Sequence, residues 1–359
     1  MNFSGLRIGF VPFSRSVKHP FDLRNFLYYA NKRGVKFEIV EPGKEYDVIL
    51  LTPQVDLTVW SRYDKSKAKI IYMIVDSYLS VPLFDIKGTL RGLAKYVARE
   101  HKYLRMNYSS AIKDMCGRAD AVVCATLEQK RDILEYCKNV HVILDCHFKA
   151  VREIKTDYSI GSRVNLVWEG FPDNMPGLAQ LSDVLVQLRK KYPIALHIIT
   201  DLEHKKYMNK FGTKSTVQEA RALFGDVYLF NNDSVVCLYQ WNIETFSRIV
   251  TTCDLAVIPL DPHNPLALGK PENKLLLFWR MGMPTVVTAS PAYVRAMGKC
   301  GLDLYCQNSA DWQEKLEGLI VDFAARKTAG TLGKQCADSV YSEDMYLEQW
   351  DRLFQSVLQ

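Results

Sequence analysis

Between Cys253 and Tyr293 the chain reads CDLAVIPLDPHNPLALGKPENKLLLFWRMGMPTVVTASPAY, and this stretch gathers groups able to hold an anion. An apolar strand ends at Pro259-Leu260, a loop follows, and a helix then runs to a Gly282-Met283-Pro284 turn. Pro271 suits the first helical turn because its missing N–H finds no partner there, and Glu272 complements the positive end of the helix. The free N–H groups of such a terminus, near Asn273, can hold phosphate, with Lys270 and Lys274 adding positive charge. The same residues also describe a capped helix followed by a tight turn, so local physics leaves both readings open.

Other stretches carry chemistry of the same kind. Trp168-Glu169-Gly170-Phe171 follows an apolar strand, and the glycine permits close backbone approach to a phosphate or sugar. Its plainer reading is a core tryptophan beside a turn. In the loop from Phe13 to Pro20, Ser14, Arg15, Lys18 and His19 are placed to contact an acceptor or a phosphate, or to be solvated polar groups. Asp76 and His147 end two strands, where acid or base chemistry is useful; His147 has the intrinsic pKa for it, and also fits a structural role. Lys87, Arg91, Lys95, Arg99 and Lys102 recur every three or four residues, setting five cations along one helix face with Leu90, Leu93, Ala94 and Val97 opposite. Such a helix suits an anionic lipid surface or a lipid diphosphate, and equally a solvated face.

Composition excludes several classes. Hydrophobic residues form 48% and charged residues 24% of 359, the balance of a folded globular protein. The apolar runs are strand-sized, far below the roughly 20 residues that span a bilayer. The opening residues lack the basic, apolar and small-residue regions of a signal peptide, which predicts a cytoplasmic protein, peripheral at most on the inner face of the cell membrane. Nine cysteines without C-x-x-C spacing are expected to be reduced thiols. No metal site and no cofactor are expected: Asp-x-Asp is absent and no His/Cys cluster has ligand spacing. Gly-x-Ser-x-Gly is also absent. Residues 1–150 hold 24 Lys/Arg against 16 Asp/Glu, and the remainder 22 against 24. The first half thus favours an acidic partner, but the excess is too mild, and too free of recognised motifs, for nucleic acid.

The elements that must position these residues follow from periodicity. Apolar runs at Leu6–Pro12, Lys36–Val40, Asp47–Leu51, Lys69–Val75, Ala121–Ala125 and His141–Leu144 predict strands, with helices at Asp22–Arg33, closed by Gly34, and near Glu128–Cys137. After Phe148 about 15 polar residues intervene. A second series of strands is predicted at Val164–Trp168, Ala195–Thr200, Val227–Phe230, Leu255–Pro259, Thr285–Thr288 and Leu302–Cys306. An amphipathic helix spans Ser342–Leu358. Strands alternating with helices imply mostly parallel sheets, here two α/β domains dividing near residue 150 with ligands in the cleft between them.

The ordered elements Pro259-Leu260, Asn273-Lys274-Leu275 and Gly282-Met283-Pro284 resemble the donor-binding signature of GT-B glycosyltransferases, especially family 4-like enzymes. The resemblance implies two Rossmann-like α/β domains: an acceptor domain over 1–150, a nucleotide-sugar donor domain over 151–340, and a helix over 341–359 that returns to the first domain. It implies metal-independent transfer with retention, from a nucleotide sugar to a saccharide or lipid-linked saccharide, as in bacterial surface polysaccharide synthesis. The donor residues would be Trp168, Glu169, Gly170, Lys270, Glu272, Asn273 and Lys274. Two glutamates usual in that family are Gly269 and Leu277 here. A non-catalytic nucleotide-sugar or saccharide-binding protein on the same fold is the alternative.

Overall fold

The computed structural model describes residues 3, 5–80, 86–205, 213–225, 236–264, 266–267 and 269–359. The chain forms two compact units: residues 1–146 with 269–271 and 343–359, and residues 147–268 with 272–342.

The first unit is built on six parallel strands, β1 (Ile8–Val11), β2 (Glu38–Ile39), β3 (Val48–Leu51), β4 (Lys69–Met73), β5 (Ala121–Cys124) and β6 (Val140–Val142), in the order β2-β1-β3-β4-β5-β6. All four residues of β3 and of β5 are buried, the pattern of strands covered on both faces. From β1 the chain crosses to β2 on one side and then to β3 on the other, so the sheet's switch point lies at the carboxyl ends of β1 and β3.

The single helix predicted over Asp22–Arg33 is two, Pro20–Arg24 and Phe26–Arg33. Asn25 breaks it at φ −122° and ψ −119°, donating from Nδ2 to the Phe21 carbonyl and to Asp145 Oδ1, each at 3.0 Å. Gly34 closes the second helix in the left-handed conformation, φ 64°. The helix Glu343–Leu358 buries Tyr346, Leu347, Trp350, Leu353, Phe354 and Val357 in this unit. Tyr29 stacks on Trp350 at 5.5 Å and on Phe354 at 5.6 Å, and its hydroxyl donates to Asp351 at 2.8 Å.

The second unit has its own six-stranded parallel sheet: β7 (Val164–Glu169), β8 (Ile194–Thr200), β11 (Val236–Gln240), β12 (Leu255–Ile258), β13 (Thr285–Thr288) and β14 (Tyr305–Cys306). Its order is β11-β8-β7-β12-β13-β14, with the switch point between β7 and β12. The hairpin of β9 (Glu203–Lys205) and β10 (Thr213–Ser215), and strand β11, were not anticipated, whereas the strand predicted at Val227–Phe230 lies outside the described residues.

The helix Asn273–Arg280 begins later than predicted: Glu272 is its N-cap, and Pro271 precedes the cap instead of occupying the first turn. It ends in a Schellman turn, with Gly282 at φ 74° and the N–H groups of Gly282 and Met283 bonded to the carbonyls of Trp279 and Phe278. The helix Phe323–Ser339 packs against it through glycines. A Cβ on Gly330 would come within 2.5 Å of the Gly282 carbonyl, and one on Gly333 within 2.6 Å of the Trp279 ring. The expectation of nine reduced thiols fails at one pair: the fold brings Cys300 and Cys336 to a Cα separation of 5.7 Å, and they form a disulfide.

Candidate functional site

At the switch point of the second unit, β7 ends in Trp168-Glu169 and β12 runs into Pro259-Leu260, so the loops beyond both strands meet the usual ligand position of an open α/β sheet. The helix Asn273–Arg280 delivers Lys274 there. Its Nζ donates to the Glu169 main-chain carbonyl at 2.7 Å and lies 5.1 Å from the Trp168 ring centre. Gly170 makes this approach possible: a Cβ would strike Lys274 Nζ and lie 2.8 Å from the Trp168 indole. Trp168 itself is 1% exposed, so it supports the lysine from the core instead of facing a ligand.

Glu272 caps the helix without a side-chain hydrogen bond to its first N–H groups. Those groups and the ammonium of Lys274 form a positive end suited to an anion. Asn273 Oδ1 is shielded from solvent and has no hydrogen-bond partner among the described residues. Such an acceptor is costly to leave unmade and fits a ligand hydroxyl. Tyr293, which sequence reasoning missed, is buried here; burial raises its phenol pKa, and the carboxylates of Glu272 and Glu169 raise it further. The loop after β12 is fixed from below: Leu260 donates its N–H to Thr288 at 2.9 Å, Gln180 donates to the Leu260 carbonyl, and Gly177 sits where a Cβ would be 2.7 Å from the Pro259 carbonyl. Position at a strand end was the only sequence signal for Thr288. Leu277 is buried, and no carboxylate replaces the family's glutamate there.

Lys270 belongs to the first unit, its Nζ 3.5 Å from Asp76 Oδ1, while the neighbouring Gly269 carbonyl lies 3.4 Å from Ser77 Oγ. Asp76 also accepts from the Tyr78 hydroxyl at 3.1 Å. Two residues expected in different roles thus form one ion pair. His147 is buried in the second unit, ahead of the short 3-10 turn Phe148–Ala150.

The Phe13–Pro20 loop follows β1 at the first unit's switch point. Its start is pinned by the helix that follows: the buried Asp22 accepts the N–H groups of Phe13 at 2.7 Å and Ser14 at 3.3 Å. Burial raises the Asp22 pKa, and those two N–H bonds oppose the shift. His19 stacks on Phe13 at 4.1 Å and accepts the Phe21 N–H, with burial lowering its pKa, while Ser14 bonds Ser16 and Arg15 and Lys18 are exposed.

The five-cation helix face is corrected. The helix is Ile86–Val97, and a Schellman turn ends it, with Arg99 at φ 58° and the Glu100 N–H bonded to the Lys95 carbonyl at 2.9 Å. Arg99 and Lys102 therefore lie beyond the helix. Lys95 is 7% exposed and pairs with Glu100 at 3.1 Å, and Arg91 lies over the rings of Tyr78 and Tyr108. Lys87 is in the first turn, its side chain outside the described residues. Leu93 and Val97, expected opposite the cations, are exposed. The buried point of contact is Gly92, where a Cβ would collide with the carbonyls of Arg105 and Met106.

No family model matches the chain, and no curated protein matches it in sequence. Solved structures do match in fold. They include TarM (TM-score 0.60, 14% identity, 86% of this chain and 54% of that one), sucrose-phosphate synthase from Thermosynechococcus elongatus (0.59, 15%, 94% and 77%) and a glycosyltransferase from Rickettsia africae ESF-5 (0.60, 11%, 98% and 98%). The chain spans about half the length of TarM, which from S. aureus has also been solved in complex with UDP and a GlcNAc-glycerol. Two six-stranded parallel α/β units and these likenesses define the GT-B fold, the fold of solved glycosyltransferases.

Proposed function

We propose that this chain is a glycosyltransferase that moves a sugar from a nucleotide-sugar donor to a saccharide acceptor. The observation that carries the reading is the lysine-anchored helix terminus at the second unit's switch point, where Lys274 meets the end of β7. The donor diphosphate would sit against the first N–H groups of the Asn273–Arg280 helix. Lys274 would offset charge building on the departing phosphate, an electrostatic contribution that needs no proton transfer. Asn273 Oδ1 would accept from a donor hydroxyl. Domains over 1–150 and 151–340 would present acceptor and donor, with Arg15, Lys18 and the Asp76–Lys270 pair on the acceptor side.

Metal-independent, retaining transfer and a lipid-linked acceptor at an anionic membrane follow from the family 4-like signature, which supports them as finer parts of the proposal. UDP is the first nucleotide to test because TarM has been solved with it. Incubation with UDP-, GDP-, ADP- and dTDP-sugars separates an enzyme from a binding protein: the proposal expects free nucleotide with at least one donor, and its loss in Lys274→Ala. Tight donor binding without release of nucleotide would favour the non-catalytic alternative instead.

A further inference from the structure

The helix Ile86–Val97 and the turn after it present apolar side chains outward: Leu93 and Tyr96 are exposed, Val97 is 72% exposed, Leu104 48% and Met106 53%. Monomeric proteins seldom leave large aliphatic groups together on the surface without use. Gly92 joins the two segments, because its missing side chain lets the helix backbone rest on the carbonyls of Arg105 and Met106. Lys95 is buried against Glu100, and the exposed Arg91 lies over Tyr78 and Tyr108. Beside these cations the helix leaves Leu93, Tyr96 and Val97 to solvent.

What borders this face decides its partner. Residues 86–105 hold six Lys/Arg and one acidic residue, Glu100, which is already paired. Arg99 is exposed at the helix end, and Lys102 and Arg62 lie over the ring of the exposed Tyr103 at 5.5 and 4.0 Å. Aliphatic groups rimmed by cations, with tyrosines at the margin, match an anionic bilayer: acyl chains take the first, lipid headgroups the second, and tyrosine suits the boundary. No described helix is long and apolar enough to cross a membrane, which leaves attachment in the plane of the interface.

We propose that the face made by Leu93, Tyr96, Val97, Leu104 and Met106 inserts shallowly into an anionic lipid surface, with Arg99 and Lys102 on the headgroups. This deepens the membrane part of the proposed function and rests on it, but not on sugar transfer.

Flotation of the full chain with phosphatidylcholine vesicles, with and without phosphatidylserine, tests it without any nucleotide sugar. Binding is expected only with phosphatidylserine. Replacing Val97, Leu104 and Met106 together by glutamine should lower the bound fraction roughly tenfold or more, since each loses a buried aliphatic group. Arg99→Gln with Lys102→Gln should weaken binding and reduce its dependence on salt. An unchanged melting temperature in each variant excludes misfolding, and nucleotide release measured without lipid reports sugar transfer separately. Full vesicle binding by the triple variant overturns the proposal. So does a dimer in sedimentation equilibrium that the triple variant converts to monomer, which would make the face a contact between two copies of this chain.

Discussion

Lys274 and Glu169 stand 105 positions apart in sequence and meet in the second unit at 2.7 Å, the lysine ammonium donating to the glutamate's main-chain carbonyl. The bond fixes one of the ammonium's three donors on the end of β7. It also aims the cation at the place where the sheet reverses its winding. Lys274→Ala is expected to weaken UDP binding about 10- to 100-fold, the range of a hydrogen bond made by a charged group. Titration calorimetry checks this, and unchanged affinity would remove Lys274 from the site.

Gly170→Ala tests the same arrangement from the backbone side. The added methyl would occupy the lysine's position and press on the Trp168 indole at 2.8 Å. The expected result is a loss of nucleotide affinity similar to that of Lys274→Ala, with a melting temperature that falls by only a few degrees. If affinity survives, the cation is free to bind from elsewhere.

Gly330→Val addresses packing. Its side chain must displace the Gly282 carbonyl and the Tyr158 ring, both 2.5 Å from the position of the new Cβ. Overpacking of this kind costs about 1–3 kcal/mol, and backbone as the obstacle points to the upper end. Urea unfolding of the second unit should move to lower midpoint without a change in slope.

Acid should destabilise the protein through its histidines. His19, His101, His141 and His197 are each held below the ordinary 6.5, with burial as the largest cause. Above pH 6.5 they are neutral whether folded or not. As pH falls below 6.5 the unfolded chain takes up protons that the folded chain refuses, so stability is lost down to the folded pKa values. His101 is the cleanest case: neither ring nitrogen has a partner among the described residues, and the ring stacks on Tyr108. His101→Phe should flatten part of the decline between pH 7 and pH 5, measured by urea unfolding. An identical pH profile would mean that His101 is protonated in the fold.

Reduction should also register. The Cys300–Cys336 link closes a loop of 36 positions, for which restriction of the unfolded chain is worth about 3–4 kcal/mol. Thermal unfolding with a phosphine reductant should shift downward, and Cys336→Ala should lower the melting point and abolish the reductant's effect.

The strands were legible because parallel strands covered on both faces are written as short runs of Val, Ile and Leu, as in Val48–Leu51 and Ala121–Cys124. Strand β11 sits at a sheet edge with only Val236 of its five residues buried, and its short Val-Cys-Leu-Tyr run was not matched to a strand. Spacing placed cations on the Ile86–Val97 helix but was silent on orientation. That was decided by Gly92, whose missing side chain admits a neighbouring backbone, a contact that periodicity cannot register. The Lys270–Asp76 pair was equally invisible, because long-range ion pairs leave no local pattern. The disulfide was obscured in the same way, by 36 positions of intervening chain.

Tyr29 and Asp351 are hydrogen-bonded across 322 positions, and the ring of Tyr29 stacks on both Trp350 and Phe354. During synthesis the first sheet emerges long before those partners do. Until residue 354 has left the ribosome, Phe26 and Tyr29 lack the aromatic groups that cover them, and the second unit is complete before the first can close. Truncation before residue 350 should thus strand a sticky half-domain, with Phe26 and Tyr29 uncovered.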